Sequence, residues 1–450
     1  MADPGNTDIT HQEAGGPVVT VVGIGDDGWD GLTRTARDEL SRAEVIMGSE
    51  RQLGLLPAAV RARQVRWPSP LVPALAKLVD AHAGTRVCAL ASGDPMFFGL
   101  GTTLVRELGA ARVRVLPHPS SVSLACARLG WALDTTEIVS LVARPLAAVH
   151  PALTAGRRLL VLSADRRTPA QLCRLLTDRG FGGSTVTIFE HLGGPAERRR
   201  DTRASALGGA RSETRSEARV DEGTATSADS SDAGPDSTAD LNLVALELTA
   251  GPETRHLPRI PGLPDDVFEH DGQLTKREIR AVTLARLAPA PGELLWDVGA
   301  GCGSISIEWM RAHPACRAVA VEPHADRVRM IGRNAEALGV PALRVVAATA
   351  PAALDDLADE TGVPDAVFIG GGLTAPDTIT RSWEALRPGG RLVANAVTIE
   401  SEVILAKWHA RHGGDLIRLA VSRASPVGGF AGWRPMMPVT QWAATRPHDQ

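Results

Sequence analysis

Residues 293–322, ELLWDVGAGCGSISIEWMRAHPACRAVAVE, carry the spacing with the clearest chemistry. Leu294 to Val298 is an apolar run suited to a buried parallel strand, and a helical pattern follows the glycine turn without a break. Glycines at 299, 301 and 303 allow positive φ. They also let the backbone of Gly299, Ala300, Gly301, Cys302 and Gly303 lie against a ligand that a Cβ would push away. The next strand, Ala318 to Val321, ends on Glu322, placed to accept from both hydroxyls of a ribose. Together these residues predict a nucleoside ligand. A dinucleotide fingerprint would need glycine at 304, where Ser304 stands, so a nicotinamide cofactor is disfavoured.

Other stretches bear chemistry too. Gly23-Ile-Gly25 follows the apolar run Val18 to Val22, but the acidic pair Asp26-Asp27 beyond it would repel a phosphate. Gly93-Asp94-Pro95 closes the strand Val87 to Ala91 and reads either as an ordinary turn or as a ligand loop at a strand's carboxyl end. Gly370-Gly371-Gly372 is either a helix start or an open floor for a flat, wide substrate. Thr275 with Glu278 reads as a capping box opening a helix over 276–287, whose N-terminus favours an anion. His270, Lys276 and Asn395 are the candidate proton donors near the glycine mouth; their plain readings are loop, cap and strand-end turn. Arg280 and Arg423 are candidate partners for substrate carboxylates.

The elements that must position these groups alternate between strand and helix, which predicts α/β architecture in two domains. Residues 1–16 are expected to be a disordered tail and 17–250 the first domain. Within that domain, residues 197–240 turn to Arg, Ser, Thr, Ala, Asp and Gly, too polar to offset ordering entropy, and are expected to be a disordered insertion. Because LNLVALEL (241–248) resumes as a strand, the insertion belongs inside the domain. The proline-rich stretch 251–264 is the expected linker, and 265–450 the second domain. Its last two strands, 415–422 and 437–442, are expected to pair antiparallel across a Gly/Pro loop.

With these residues laid out, the chain is similar to two families in series. VVGIGDDG (21–28), ASGDPMFFGLG (91–101), PHPSSVSLACARLG (117–130) and EHLGGPAER (190–198) resemble the tetrapyrrole methylases. The resemblance implies a two-lobed, class III methyltransferase-like domain. Its S-adenosylmethionine (SAM) site would be formed by Gly23, Gly25, Gly93, Asp94, Pro95, Ser120, Ser121 and Ser123. LTKREIR (274–280), DVGAGCGSISIEW (297–309), AVEPHADR (320–327), DAVFIGGG (365–372) and VANAVTIESE (393–402) resemble the decarboxylating precorrin methyltransferases. There the resemblance implies a Rossmann-like, seven-stranded class I domain. Thr275 would contact the SAM carboxylate, the 299–303 turn would line its methionine and ribose, Glu322 would hold the ribose, and Ala350 would lie by the adenine. Ala348 stands where that family usually has glycine. The implied reaction is methylation of two meso carbons of a reduced tetrapyrrole, with loss of carbon dioxide from an acetate side chain. The resemblance also implies one SAM per domain, no metal, and a homo-oligomer through the C-terminal domain.

Composition bounds the alternatives. With 44% hydrophobic and 22% charged residues, the chain is ordinary globular material. A net charge of −4 and no tyrosine oppose the rival reading of an RNA adenosine methyltransferase, so no nucleic-acid partner is expected. The other rival is a SAM- or tetrapyrrole-binding scaffold with one inactive domain. Five cysteines without CxxC spacing indicate neither a zinc site nor a disulfide framework, which fits a reducing cytoplasm. No apolar run is long enough to span a bilayer.

Overall fold

The computed structural model describes residues 19–208 and 238–448. The expected tail 1–16 and the middle of the expected insertion, 209–237, lie outside them. The chain contacts divide into two compact units, one holding 19–143 and 155–254, the other 144–154 and 255 onward. The short 3-10 segment Leu146–Ala152 thus groups with the second unit, where Arg259 Nε donates to the Pro151 carbonyl at 3.1 Å. The single boundary expected from the sequence misses this segment.

The first unit contains two sheets. One holds β1 (Val19–Ile24), β2 (Val45–Gly48), β3 (Arg63–Arg66), β4 (Val87–Ser92) and β5 (Val113–Leu116), in order β3-β2-β4-β1-β5. All its pairings are parallel. Val19, Val21, Val22 and Ile24 are fully buried and Thr20 is buried among them, which is why β1 is mostly apolar and shows no in-out alternation. The other sheet holds β6 (Glu137–Ser140), β7 (Arg158–Leu162), β8 (Thr185–Glu190), β9 (Arg198–Arg203) and β10 (Asn242–Glu247), in order β6-β7-β10-β8-β9. Two five-stranded sheets make the expected two lobes.

β9 corrects the expectation of disorder from residue 197. Its Arg-rich sequence cannot pack a core, but it pairs antiparallel with β8 along its whole length. Its side chains are also tied down: Thr187 Oγ1 donates to Asp201 at 2.5 Å, and Arg198 pairs with the buried Glu190 at 3.2 Å. A polar edge strand needs its backbone partner more than apolar side chains.

The second unit contains one seven-stranded sheet, order β13-β12-β11-β14-β15-β19-β16. Its strands are β11 (Leu294–Val298), β12 (Arg317–Val321), β13 (Arg344–Val346), β14 (Ala366–Ile369), β15 (Arg391–Ala396), β16 (Asp415–Leu419) and β19 (Val439–Thr445). The first five run parallel, while β19 is antiparallel to both neighbours. The expected closing antiparallel pair is therefore present, as β16 and β19. Between them, the expected Gly/Pro loop is a hairpin, β17 (Ser422–Val427) and β18 (Phe430–Pro435), turning through Gly428-Gly429. The end of the expected linker is docked: Gly262 and Leu263 donate their N–H groups to Glu308 at 2.6 and 3.0 Å, and Leu263 is buried.

Candidate active sites

In the second unit a cavity of about 1000 Å³ opens where β11, β12, β14 and β15 end at their carboxyl termini. Gly299, Ala300, Gly301, Cys302, Glu322, Ala350, Gly370, Gly371, Gly372, Thr275, Lys276 and Asn395 all line it, so the fold brings these sequence-predicted residues together. Gly303 does not line it; at φ +80° its bare Cα is required by Ile331, whose Cγ2 would stand 2.9 Å from an added Cβ. His270 is not among the lining residues either; its Nδ1 accepts from the Gly272 N–H at 3.1 Å.

Glu322 is buried at the end of β12, its Oε2 accepting from the Gly301 N–H at 2.9 Å and its Oε1 from the His324 N–H at 3.1 Å. These two backbone donors fix the carboxylate on the wall while leaving lone pairs for a diol. Below it, Asp297 is fully buried and accepts from Ser306 N–H (3.0 Å) and Oγ–H (2.7 Å), tying strand β11 to the helix Ser304–Ala312. Burial pushes its carboxyl up to about 6, with the Glu322 charge adding to the rise.

The capping-box reading of Thr275 is overturned. The helix is Arg277–Leu287, and Lys276 sits at its N-cap without a side-chain bond. The cap is supplied from outside, by Asp265 Oδ1 accepting from the Arg277 N–H at 2.9 Å, while Glu278 turns away to Arg423. Thr275 is left on the cavity wall, its carbonyl held by Arg280. Arg280 itself is wholly buried, pairing with Glu308 at 2.6 Å and Asp265 at 3.2 Å under the Phe268 ring, so it is structural and does not face a substrate. Asn395 is locked: its Nδ2 donates to Thr283 Oγ1 (3.0 Å) and its Oδ1 accepts from Gln441 Nε2 (2.9 Å).

Arg423, named from the sequence as a candidate for substrate carboxylates, lines this cavity from the hairpin side, where Ser425, Arg434, Met436 and Met437, which the sequence did not point to, line it as well. The available signal was Gly428-Gly429, a two-residue hairpin loop.

The first unit has its own cavity, about 490 Å³, lined from both of its sheets. Gly25, Gly93, Asp94, Ser120 and Ser121 line it; Gly23, Pro95 and Ser123 do not. Gly23 is bare for packing, since a Cβ there would lie 2.2 Å from the Gly93 carbonyl oxygen. Ser120 caps the helix Ser121–Leu129, accepting from the Ser123 N–H at 3.1 Å. Asp94 Oδ1 accepts from the Met96 N–H at 2.9 Å. The acidic pair has partners within the protein: Asp26 meets the Arg51 guanidinium and the His191 ring at 3.1 Å each, and the His118 ring lies 3.3 Å from Asp27. On the opposite wall, Ser163 Oγ and Asn242 Oδ1 are buried without a partner, a polar surface suited to a nucleoside's donors.

Residues 18–208 match the family of tetrapyrrole (corrin/porphyrin) methylases, and residues 266–446 the precorrin methyltransferase domain. A precorrin-6Y C(5,15)-methyltransferase [decarboxylating] from Sinorhizobium sp is 45% identical over 446 residues, 99% of this chain and 100% of that protein. The protein of the same name from Mycobacterium tuberculosis (strain CDC 1551 / Oshkosh) is 46% identical over 431 residues, 95% of this chain and 100% of its own length. Among solved structures, the C-terminal domain of precorrin-6Y C5,15-methyltransferase from Rhodobacter capsulatus is 50% identical, covering 42% of this chain and 100% of that one, at a TM-score of 0.40.

A tetrapyrrole methylase followed by a precorrin methyltransferase domain makes the chain a methyltransferase, in a class that uses SAM. It belongs to the precorrin-6Y C(5,15)-methyltransferase (decarboxylating) family.

Proposed function

We propose that the chain methylates precorrin-6Y at ring positions 5 and 15 and removes carbon dioxide from the ring C acetate, giving precorrin-8X in cobalamin biosynthesis, with one SAM bound in each unit. The observation that carries the two-site reading is the pair of cavities, one per unit, each at the carboxyl ends of parallel strands. When bound, SAM supplies an electrophilic methyl group on a sulfonium sulfur.

In the second unit Glu322 holds the ribose, Ala350 lies by the adenine, and the 299–302 backbone carries the methionine. Gly370 to Gly372 floor the space left for a broad ring, and nothing lies within 4 Å of a Cβ added at Gly372. Replacing a meso hydrogen by methyl releases one proton, and losing carbon dioxide from the acetate leaves a carbanion that takes one up. Asn395, an amide held at both ends, orients but does not protonate. Lys276 is the one of the three candidates that both titrates and lines the cavity, and we assign it that proton. In the first unit Gly93, Asp94, Ser120 and Ser121 carry the second SAM, with Ser163 and Asn242 on the facing wall.

The same reading places the enzyme in the cytoplasm without a nucleic-acid partner. It also makes the enzyme a homo-oligomer through the second unit, whose hairpin exposes Val427, Phe430 and Trp433. Among the described residues no helix is long and apolar enough to cross a membrane. Calorimetric titration of SAM into the full chain tests the two-site assignment: two equivalents bound per chain support it, and one equivalent overturns it.

A further inference from the structure

Arg423 and Arg434 stand directly opposite each other in the β17–β18 register, and both line the second cavity. Like charges facing across an antiparallel ladder are destabilising. Arg423 is compensated, by Asp265 at 3.1 Å and Glu278 at 2.6 Å. Arg434 is exposed and, among the described residues, forms no ion pair. The hairpin thus holds an uncompensated guanidinium on the wall of a substrate-sized cavity, beside a second arginine whose own carboxylates are already engaged. Met436 and Met437 continue the same wall with apolar, adaptable surface suited to the face of a ring.

We infer that Arg434 is a specificity residue for the tetrapyrrole, its planar fork receiving one peripheral carboxylate of the macrocycle; this rests on the function proposed above. The carboxylate it takes is not the acetate that is lost. A carboxylate gripped by a guanidinium is stabilised in its ground state, which raises the barrier to decarboxylation. Arg434 instead fixes the ring from its edge, so that binding energy remote from the reacting carbon sets the ring's orientation over the glycine floor.

The test uses the full chain with precorrin-6Y and SAM, reading carbon dioxide release and, separately, absorbance titration of the tetrapyrrole without turnover. Arg434→Ala is expected to raise both KM and Kd for the tetrapyrrole about ten- to a hundredfold. Its SAM affinity should stay unchanged and its melting temperature should not fall, since the facing like charge is removed, and Arg434→Lys should recover part of the loss. Raising ionic strength should weaken tetrapyrrole binding to the wild type more steeply than to Arg434→Ala. An unchanged Kd in Arg434→Ala, or a matching loss of SAM affinity, overturns the inference. Wild-type protein that binds the tetrapyrrole but releases no carbon dioxide counts against the proposed reaction, while the Kd ratio still decides Arg434.

Discussion

Gly299 and Gly371 touch backbone to backbone: a Cβ on Gly299 would stand 2.6 Å from the Gly371 Cα and 2.7 Å from its nitrogen. The loops leaving β11 and β14 are sealed together by this contact, and the cavity floor is built on the seal. Gly299 is therefore bare for the protein's own packing before it is bare for any ligand.

That contact is asymmetric, and the asymmetry is testable. Gly299 also sits at φ +70°, so Gly299→Ala combines left-handed strain with a backbone clash and should cost roughly 2 kcal/mol or more. A Cβ on Gly371 meets Gly299 Cα at 3.5 Å, an ordinary contact, so Gly371→Ala should fold with little loss. Urea denaturation of the two variants reads the difference.

Glu322→Gln keeps one oxygen for the Gly301 N–H and loses the charge offered to the ribose. SAM affinity of the second unit should fall on the order of ten- to a hundredfold, with the first unit's binding event unchanged in the same titration.

Asp297 sets a pH dependence with a definite sign. Its carboxyl rises from 3.8 to about 6 on folding because burial disfavours the charge. Between those values the folded chain holds a proton that the unfolded chain has released, so this group's contribution is fully present below about pH 4 and is lost as pH rises towards 6. The loss is on the order of 2–3 kcal/mol. Asp297→Asn keeps an acceptor for Ser306, and the wild-type-minus-variant stability, followed by urea midpoints from pH 4 to 7, should fall across that window.

Arg280→Met leaves Glu308 buried without its guanidinium partner and should destabilise the second unit by about 3–5 kcal/mol. Because Arg280 faces the core, the folded variant should bind the tetrapyrrole as the wild type does, which absorbance titration checks.

Local signals made much of this legible. Strands β1, β4, β11, β12 and β14 are largely apolar and buried on both faces, and the 299–302 part of the glycine turn lines one cavity together with Glu322, as their spacing suggested. What stayed hidden depends on partners distant in sequence. Asp265 supplies the helix cap that Thr275 was expected to give, and Glu308 reaches back to Gly262 and Arg280. β9 exists through its ladder with β8, and the β17–β18 hairpin carries no apolar alternation to betray it. Glycine was the most ambiguous letter: Gly23, Gly299 and Gly303 answer to neighbouring protein atoms, whereas Gly372 faces open space.

The most direct measurement is mass spectrometry of the tetrapyrrole product after incubation of the full chain with SAM and precorrin-6Y. The expected product has gained two methyl groups and lost one carbon dioxide. A product with a single added methyl, or one that keeps its acetate, would contradict the proposed reaction.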